Sequence, residues 1–442
     1  MPFRRGSIGY ARFAVVGSAP SAPDSSILEA LAANVLRPTE IGAPPEIESG
    51  WVTGHHVYDT RFSIEENVFA SDLVVAMRLD TNRVPSEVRR AYRAMAEQER
   101  AAASPTGIIG RSEKAAARDD ADRQCHEELA SGTYRRSKMI PVLWDLSRQI
   151  VLAPAFGDAV VTALRDLMFQ TFEVRLVPIS SGVHASETLR RQGRTRDYED
   201  LRPSAFTPPP PSAEASPDDP ADDIRIPRVP WIKGGPEPSD YLGNEFLVWL
   251  WWQTATNEGL VEAGGRTIPV AIDRQLDTDC AWDENGRQSL RATGPARMPE
   301  AMVALRAGKW PRKMGLMLAV DHEPFTCTIQ GDRAIVSGLT LPKPEDAPES
   351  PRVLTEQRLD LLHTFDDAMT SLYDAFLTLR VGSAWPTMRE RIAAWIREGI
   401  REGKRDGREE TTRDDDARRA DVTIETIRTT EDAERGMVSA AG

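Results

Sequence analysis

Tyr134-Arg135-Arg136-Ser137-Lys138 sets one aromatic ring among three cations, with no anion in the run. Cations grouped in this way hold phosphates by charge and hydrogen bonding, without reading base sequence. A ring in their midst can pack on a sugar or base, although ordinary packing explains it equally well. A second run, from Arg287 to Lys313, carries seven cations (Arg287, Arg291, Arg297, Arg306, Lys309, Arg312, Lys313) against one anion, Glu300. From Arg83 to Lys138 the chain carries twelve cations and nine anions. For any one such patch alone a solvated polar face is the simpler account. Two patches flanking hairpins in an otherwise acidic chain bring phosphate binding level with it.

Other chemistry finds less support. Trp249, Trp251 and Trp252 offer stacking surfaces, but Phe246, Leu247, Val248 and Leu250 around them mark a buried helix. Cys125-His126 and His55-His56 are adjacent pairs without the spacing that lets metal ligands converge. Glu402-Gly403-Lys404 fits part of a nuclease pattern, but in a charged stretch with no strand to hold it. Asp321 and Glu323 flank a turn, and turn polarity explains them. No Walker lysine loop and no Gly-x-Ser-x-Gly elbow occurs, and six scattered histidines define no Ser-His-Asp set. The expectation is therefore no catalytic residues, no metal site and no cofactor.

The chain has 442 residues, enough for several structural units, and a net charge of −13. That sum opposes global attraction to nucleic acid, but a local surface depends on where charges lie. Three distant cysteines argue against a disulfide framework and for a reducing compartment. No signal-peptide pattern is read at the start, and the most apolar run, Phe246–Trp252, is too short to span a bilayer.

The elements that must position the cations follow from periodicity. Residues 8–16 and 72–79 read as strands, and 25–35 as a short helix. Pro85 opens a helix to Ala103 with Val88, Tyr92 and Met95 at helical spacing. Arg111–Leu129 is a polar, projecting helix. Met139–Trp144 and Ile150–Ala153 form a hairpin, with Pro141 implying an edge or bulge. A helix capped by Asp158 and a strand over 174–177 follow. Residues 181–238, with Pro208–Pro211 in a row, read as a disordered linker in which Arg190, Arg191, Arg194 and Arg196 form a mobile basic arm. Tyr241 restarts order: a buried Trp helix, a strand over 267–272, a hairpin signal at Asn285-Gly286, a helix with Met298, Met302 and Leu305, and three antiparallel strands over 314–339. Long helices over 352–380 and 386–396 precede a solvated, charged tail.

The order of these features resembles the bacterial recombination-associated RdgC family. Gly50-Trp51-Val52, Val84-Pro85-Ser86-Glu87-Val88, Arg111-Ser112-Glu113-Lys114 and Tyr134-Arg135-Arg136 are similar to family motifs, in sequence. So are Leu290-Arg291-Ala292, Ala307-Gly308-Lys309 and Thr364-Phe365-Asp366-Asp367. The likeness covers most of residues 8–180 and 285–380. It implies an α+β protein with antiparallel sheets and packed helices, an elongated, multi-lobed monomer closing into a ring-shaped homodimer. DNA passes through the basic hole without sequence preference, and the family limits access of the RecA recombinase to DNA.

The resulting expectation is an N-terminal domain over 1–180, the linker over 181–238, a second domain over 239–345, C-terminal helices over 346–399 and a tail over 400–442. The function expected is non-enzymatic, sequence-nonspecific DNA binding in recombination or replication. Partners are double-stranded and possibly single-stranded DNA, a second copy of the chain and, by antagonism, RecA. The setting is cytoplasmic and nucleoid-associated, without a membrane. Expected contacts are Arg89, Arg93, Arg111, Lys114, Tyr134, Arg135, Arg136, Lys138, Arg291, Lys309, Arg312 and Lys313. A metal-dependent nuclease and an interaction scaffold without nucleic acid stand as alternatives.

Overall fold

The computed structural model describes residues 2–37, 45–209, 226–283, 286–343 and 350–398. The chain forms two compact units: residues 15–176, and residues 2–14 with the chain from Val177 onward. Both are α+β with antiparallel sheets, as expected. No helix among the described residues is long and apolar enough to cross a membrane.

The first strand, β1 (Ile8–Val16), belongs mostly to the second unit rather than to the N-terminal domain expected for it. Ile8 and Tyr10 pair with Leu339 and Val336, a contact that no local pattern announces. The first unit then runs α1 (Ser25–Ala33), β2 (Ile47–Val52), α2 (Ile64–Asn67), β3 (Val68–Phe69) and β4 (Asp72–Asn82). A helical hairpin follows, α3 (Ser86–Ala103) and α4 (Arg111–Ala130). The hairpin β5 (Arg135–Asp145) and β6 (Ile150–Ala153) and helix α5 (Asp158–Phe172) complete the unit, and β7 (Arg175–Pro178) leaves it. The sheet order is β6-β5-β4-β2, with β3 also on β4.

β4 is its spine: Leu73, Val74, Val75, Ala76 and Met77 are all buried, as in a strand covered on both faces. At Pro141 only β4 flanks β5, because pairing with β6 begins at Leu143, so the proline sits where the strand is an edge. Trp51, buried on β2, donates its indole N–H to Thr171 of α5 at 2.8 Å. Gly50 beside it is obligatory, since a Cβ there would lie 2.3 Å from the Leu36 nitrogen. The cap of α5 is Gly157, which places Asp158 inside the first turn rather than at the expected N-cap.

The second unit corrects the expected linker. Ser180 caps α6 (Ser181–Arg191), accepting from the Val183 N–H at 3.3 Å, and Ala185 and Leu189 are buried one turn apart. α7 (Thr195–Glu199) follows, and Phe206 is buried edge-on against Trp310 at 5.5 Å. Arg190, Arg191, Arg194 and Arg196 thus lie on or beside packed helices, with Arg190 on Glu187 and Arg194 on Asp197. Proline and charge hid the two core residues of α6. The stretch 210–225, with two of the four prolines of the run, lies outside the described residues, as do Asn285 and the tail.

The buried Trp helix is α8 (Tyr241–Thr256). β8 (Leu260–Ala263), β9 (Arg266–Cys280), β10 (Gln288–Leu290), α9 (Pro299–Arg306), β11 (Lys309–Val320), β12 (Glu323–Gln330), β13 (Ile335–Thr340), α10 (Pro351–Arg380) and α11 (Trp385–Glu398) complete the unit. Its sheet runs β10-β9-β11-β12-β13-β1, with β8 on β9. The helices expected to stand apart over 346–399 are part of this core: Phe376 of α10 packs on Phe246 at 5.8 Å and Phe365 on Phe325 at 5.6 Å. α8 approaches the β12–β13 turn so closely that a Cβ on Gly243 would lie 1.9 Å from the Gly331 carbonyl.

Two buried charges hold this core to particular conditions. Glu245, wholly buried on α8, accepts from Arg380 Nε at 2.6 Å and from the Ser204 N–H at 2.6 Å. Arg380→Met leaves that carboxylate without a cation, so it should destabilise the unit by about 3–5 kcal/mol, read as a lower denaturant midpoint by tryptophan fluorescence. Removing Glu245 as well should recover part of the loss.

Asp240 is 1% exposed. Burial, helped by the charge of Asp332, raises its pKa to about 6, against hydrogen bonds from Ser180 and the Gly182 N–H. The folded state therefore holds a proton that the unfolded chain, titrating near the ordinary carboxyl value of about 3.9, has released. Stability should fall as pH rises from about 4 to about 6, by up to about 3 kcal/mol, and level off above. Asp240→Asn should flatten that part of the profile in pH-dependent denaturation.

Candidate nucleic-acid interface

β4 and β5 pair without a break over eleven residues, from Asp72↔Asp145 to Asn82↔Arg135. The alternation of a strand divides the basic run between two faces. Arg135 and Ser137 share a face with Asp80, and Arg136 and Lys138 take the other. On the first face Asp80 is nearly buried. It accepts from Arg78 NH2 at 2.6 Å and Arg78 Nε at 2.8 Å, and from Arg135 Nε at 2.8 Å. Arg135 also reaches Glu48 at 2.7 Å. Burial works against the Asp80 charge, but hydrogen bonds from Arg78, Ser137 and Arg135 hold its carboxyl below the usual range. Arg135 is thus held in a part-buried network with Asp80 and Glu48, on the face of β5 away from Arg136, and does not line the cleft.

On the other face Arg136 enters a cleft of about 1070 Å³. Its walls are the end of β4, helices α3 and α4, and the start of β5. Six arginines line it, Arg83, Arg89, Arg90, Arg93, Arg118 and Arg136, together with Tyr134, and Asp122 is the one carboxylate residue in that lining.

The hairpin that makes the wall is built for surface rather than for core. Glu87 in the first turn of α3 and Arg100 in the last complement the helix dipole, and no α3 residue is fully buried. α4 turns a stripe of small residues inward, Ala117, Ala121 and Cys125, each four apart. Glu113 reaches back to the Gly110 N–H at 2.7 Å and starts the helix. Polar bridges fasten the pair. Arg100 meets Asp120, and Tyr92 of α3 and Tyr134 before β5 both donate to Glu128 of α4, Tyr134 at 2.5 Å. Asn82 Nδ2 donates to the Leu129 carbonyl at 2.8 Å, tying the end of α4 to β4. The Glu128 carboxylate pushes the Tyr134 phenol well above its ordinary pKa, and hydrogen bonds from Tyr134 and Tyr92 hold the Glu128 carboxyl below the usual range.

The six arginines are not equivalent. Arg83, Arg90 and Arg93 contact Glu46, Glu87 and Glu97 at 3.0–3.2 Å, in exposed or half-exposed pairs worth about 0–1 kcal/mol. A phosphate can displace such partners. Arg89, Arg118 and Arg136 lie on the cleft with no carboxylate partner among the described residues.

Of the expected contacts, the cleft thus gathers Arg89, Arg93, Tyr134 and Arg136. Lys138 is exposed on the same face of β5, and Arg111 and Lys114 are exposed at the start of α4, but none of the three lines the cleft. Arg83, Arg90 and Arg118 were missed. Arg90 and Arg93 are three apart, and Arg89 and Arg93 four apart, a same-face signal. Arg118 carried no signal, because a helix polar all round does not say which face has a neighbour.

Arg291, Lys309, Arg312 and Lys313 lie in the second unit. There the net charge counted along the sequence is offset by the neighbouring strand. β9 sets Asp277 opposite Lys313 and Asp279 opposite Trp310. Asp279 takes Arg287 at 3.0 Å and Arg312 at 3.6 Å. Arg312 also lies 3.7 Å from Asp332 and stacks over Trp231 at 5.3 Å. Arg312 is therefore engaged by Asp279, Asp332 and Trp231, unlike its neighbour Lys313. Lys313 and Arg291 are exposed and Lys309 half-exposed, with no carboxylate within ion-pair distance among the described residues. Trp249 and Trp251 are core, as expected.

A scan against protein-family models finds no match, and a search of curated proteins finds none either.

Glu128→Ala removes the one acceptor that both tyrosines share. The Tyr134 titration should fall back toward about 10, seen in tyrosinate absorbance, and amide exchange in α3 should quicken. An unchanged tyrosine titration would show that Glu128 does not hold the ring.

Proposed function

We propose that this protein binds nucleic acid non-enzymatically and without sequence preference. One observation carries the reading: a chain of net charge −13 gathers six arginines on one cleft with a single aspartate in its lining. Scattered arginines in an acidic protein repel little, whereas Arg89, Arg118 and Arg136, without carboxylate partners among the described residues, repel one another around one space. A polyanion relieves that repulsion. Arginine guanidinium groups match phosphate geometry with paired hydrogen bonds, and none of these contacts reads a base edge. The acidic remainder confines attraction to the cleft and disfavours binding elsewhere.

The resemblance to the RdgC family extends the proposal to DNA in recombination or replication, a closed homodimer, and restricted access of RecA to DNA. The exposed Arg291 and Lys313 and the half-exposed Lys309 of the second unit are further contacts in that scheme.

The test is retention of random-sequence DNA, single- and double-stranded, by the full chain across a salt series with and without Mg²⁺. DNA should be held at low salt, remain intact, and be released with a log–log slope of about −0.7 to −0.9 per phosphate contacted. Loss of all binding at low salt overturns the reading, and Mg²⁺-dependent cleavage overturns its non-enzymatic part.

A further inference from the structure

We infer that the arginine cleft of the first unit holds a short single-stranded segment of nucleic acid, about three nucleotides, and excludes duplex. This rests on the nucleic-acid reading above and assigns the form bound at that site. The first ground is size. A volume of about 1070 Å³ corresponds to a mean width of about 10 Å, whereas a B-DNA duplex is wider than its major groove, itself about 12 Å across. A duplex can lie across the mouth of such a cleft but cannot enter it; one strand can.

The second ground is the number and placing of the available charges. Arg89 of α3, Arg118 of α4 and Arg136 of β5 come from three separate elements onto one cleft, without carboxylate partners among the described residues. Phosphates of one strand within a duplex are about 3.4 Å apart on the helix axis, and those of an unstacked strand lie farther apart, so no more than about three of them span the cleft. Three phosphates meet three arginines, and the displaceable pairs at Arg83, Arg90 and Arg93 surround them.

The third ground is Tyr134. Its hydroxyl is engaged with Glu128 at 2.5 Å while the residue lines the cleft. That bond fixes the ring and leaves it as an apolar surface rather than a hydrogen-bond donor to the ligand. Stacking on such a ring needs a base face, which paired and stacked bases in a duplex do not offer.

The experiment compares thymidine homopolymers with a matched duplex on the full-length chain, wild type and Arg89→Ala/Arg118→Ala/Arg136→Ala. The triple variant should weaken single-strand binding and reduce its salt slope by about 2, from about 0.7 per phosphate, while duplex binding keeps its slope. Equal losses for the two forms, or no loss for either, overturn the inference yet leave DNA binding standing. Failure of the wild type to hold either form overturns the underlying reading as well. Because three substitutions can disturb the hairpin, a second measurement uses the unaltered protein: photocrosslinking of iodouracil-substituted strands. Crosslinks should map to Tyr134 with the single strand and not with the duplex. Crosslinking of both alike, or of neither, counts against the inference.

Discussion

Adjacent residues of a strand must face opposite ways, and in β5 that rule holds from Arg135 to Asp145 because β4 pairs with it throughout. The cleft depends on this constraint. Two arginines adjacent in sequence receive different work. One closes a buried ionic network around Asp80, and its neighbour lines the basic cleft. The network in turn fixes the ends of the strands from which α3 departs and at which α4 arrives. A slip of one residue in the β4–β5 register would bring Arg135 into the cleft and leave the Asp80 carboxylate facing Arg136 and Lys138 instead.

Magnitudes separate the cations into classes that sequence composition cannot. An arginine on a carboxylate that is almost fully buried is held firmly, since water cannot replace it as a partner for that charge. An arginine on a half-exposed glutamate four residues away is held by little more than thermal energy. Arg135 and Arg312 belong to the first kind and Arg93 to the second. Charge counted along the chain treats all three alike. The second patch makes the same point: its excess of cations is genuine along the sequence and partly cancelled in space by Asp277 and Asp279.

Periodic elements were legible in the sequence. The helix starting near Pro85, the polar helix after it, the Trp-rich helix, the three-strand meander and the long helix near the end all appear within a few residues of where apolar spacing puts them. The region after Ser180 was not, because the apolar side chains that α6 buries, Ala185 and Leu189, are outnumbered by polar neighbours. Nor was the affiliation of β1, which follows from a pairing with a strand more than three hundred residues away. At the site, Arg89, Arg93, Tyr134 and Arg136 were found from charge and spacing. The loss of Arg135 and the gain of Arg118 depended on partners distant in sequence.

α3 buries none of its eighteen residues completely, and what fastens it to α4 is largely hydrogen-bonded and ionic. Such an element opens locally at a small fraction of the free energy that unfolds the sheet beneath it. The consequence is thermodynamic coupling between occupancy and rigidity. A ligand that bridges α3, α4 and β5 must order the wall it binds, so its measured affinity is lower than its contacts alone would give. A ligand already in place makes the wall stiffer for the next contact along the same strand. Under the proposed function, cooperativity between successive phosphates would follow from the thinness of a helix's core, with no second conformation of the sheet required.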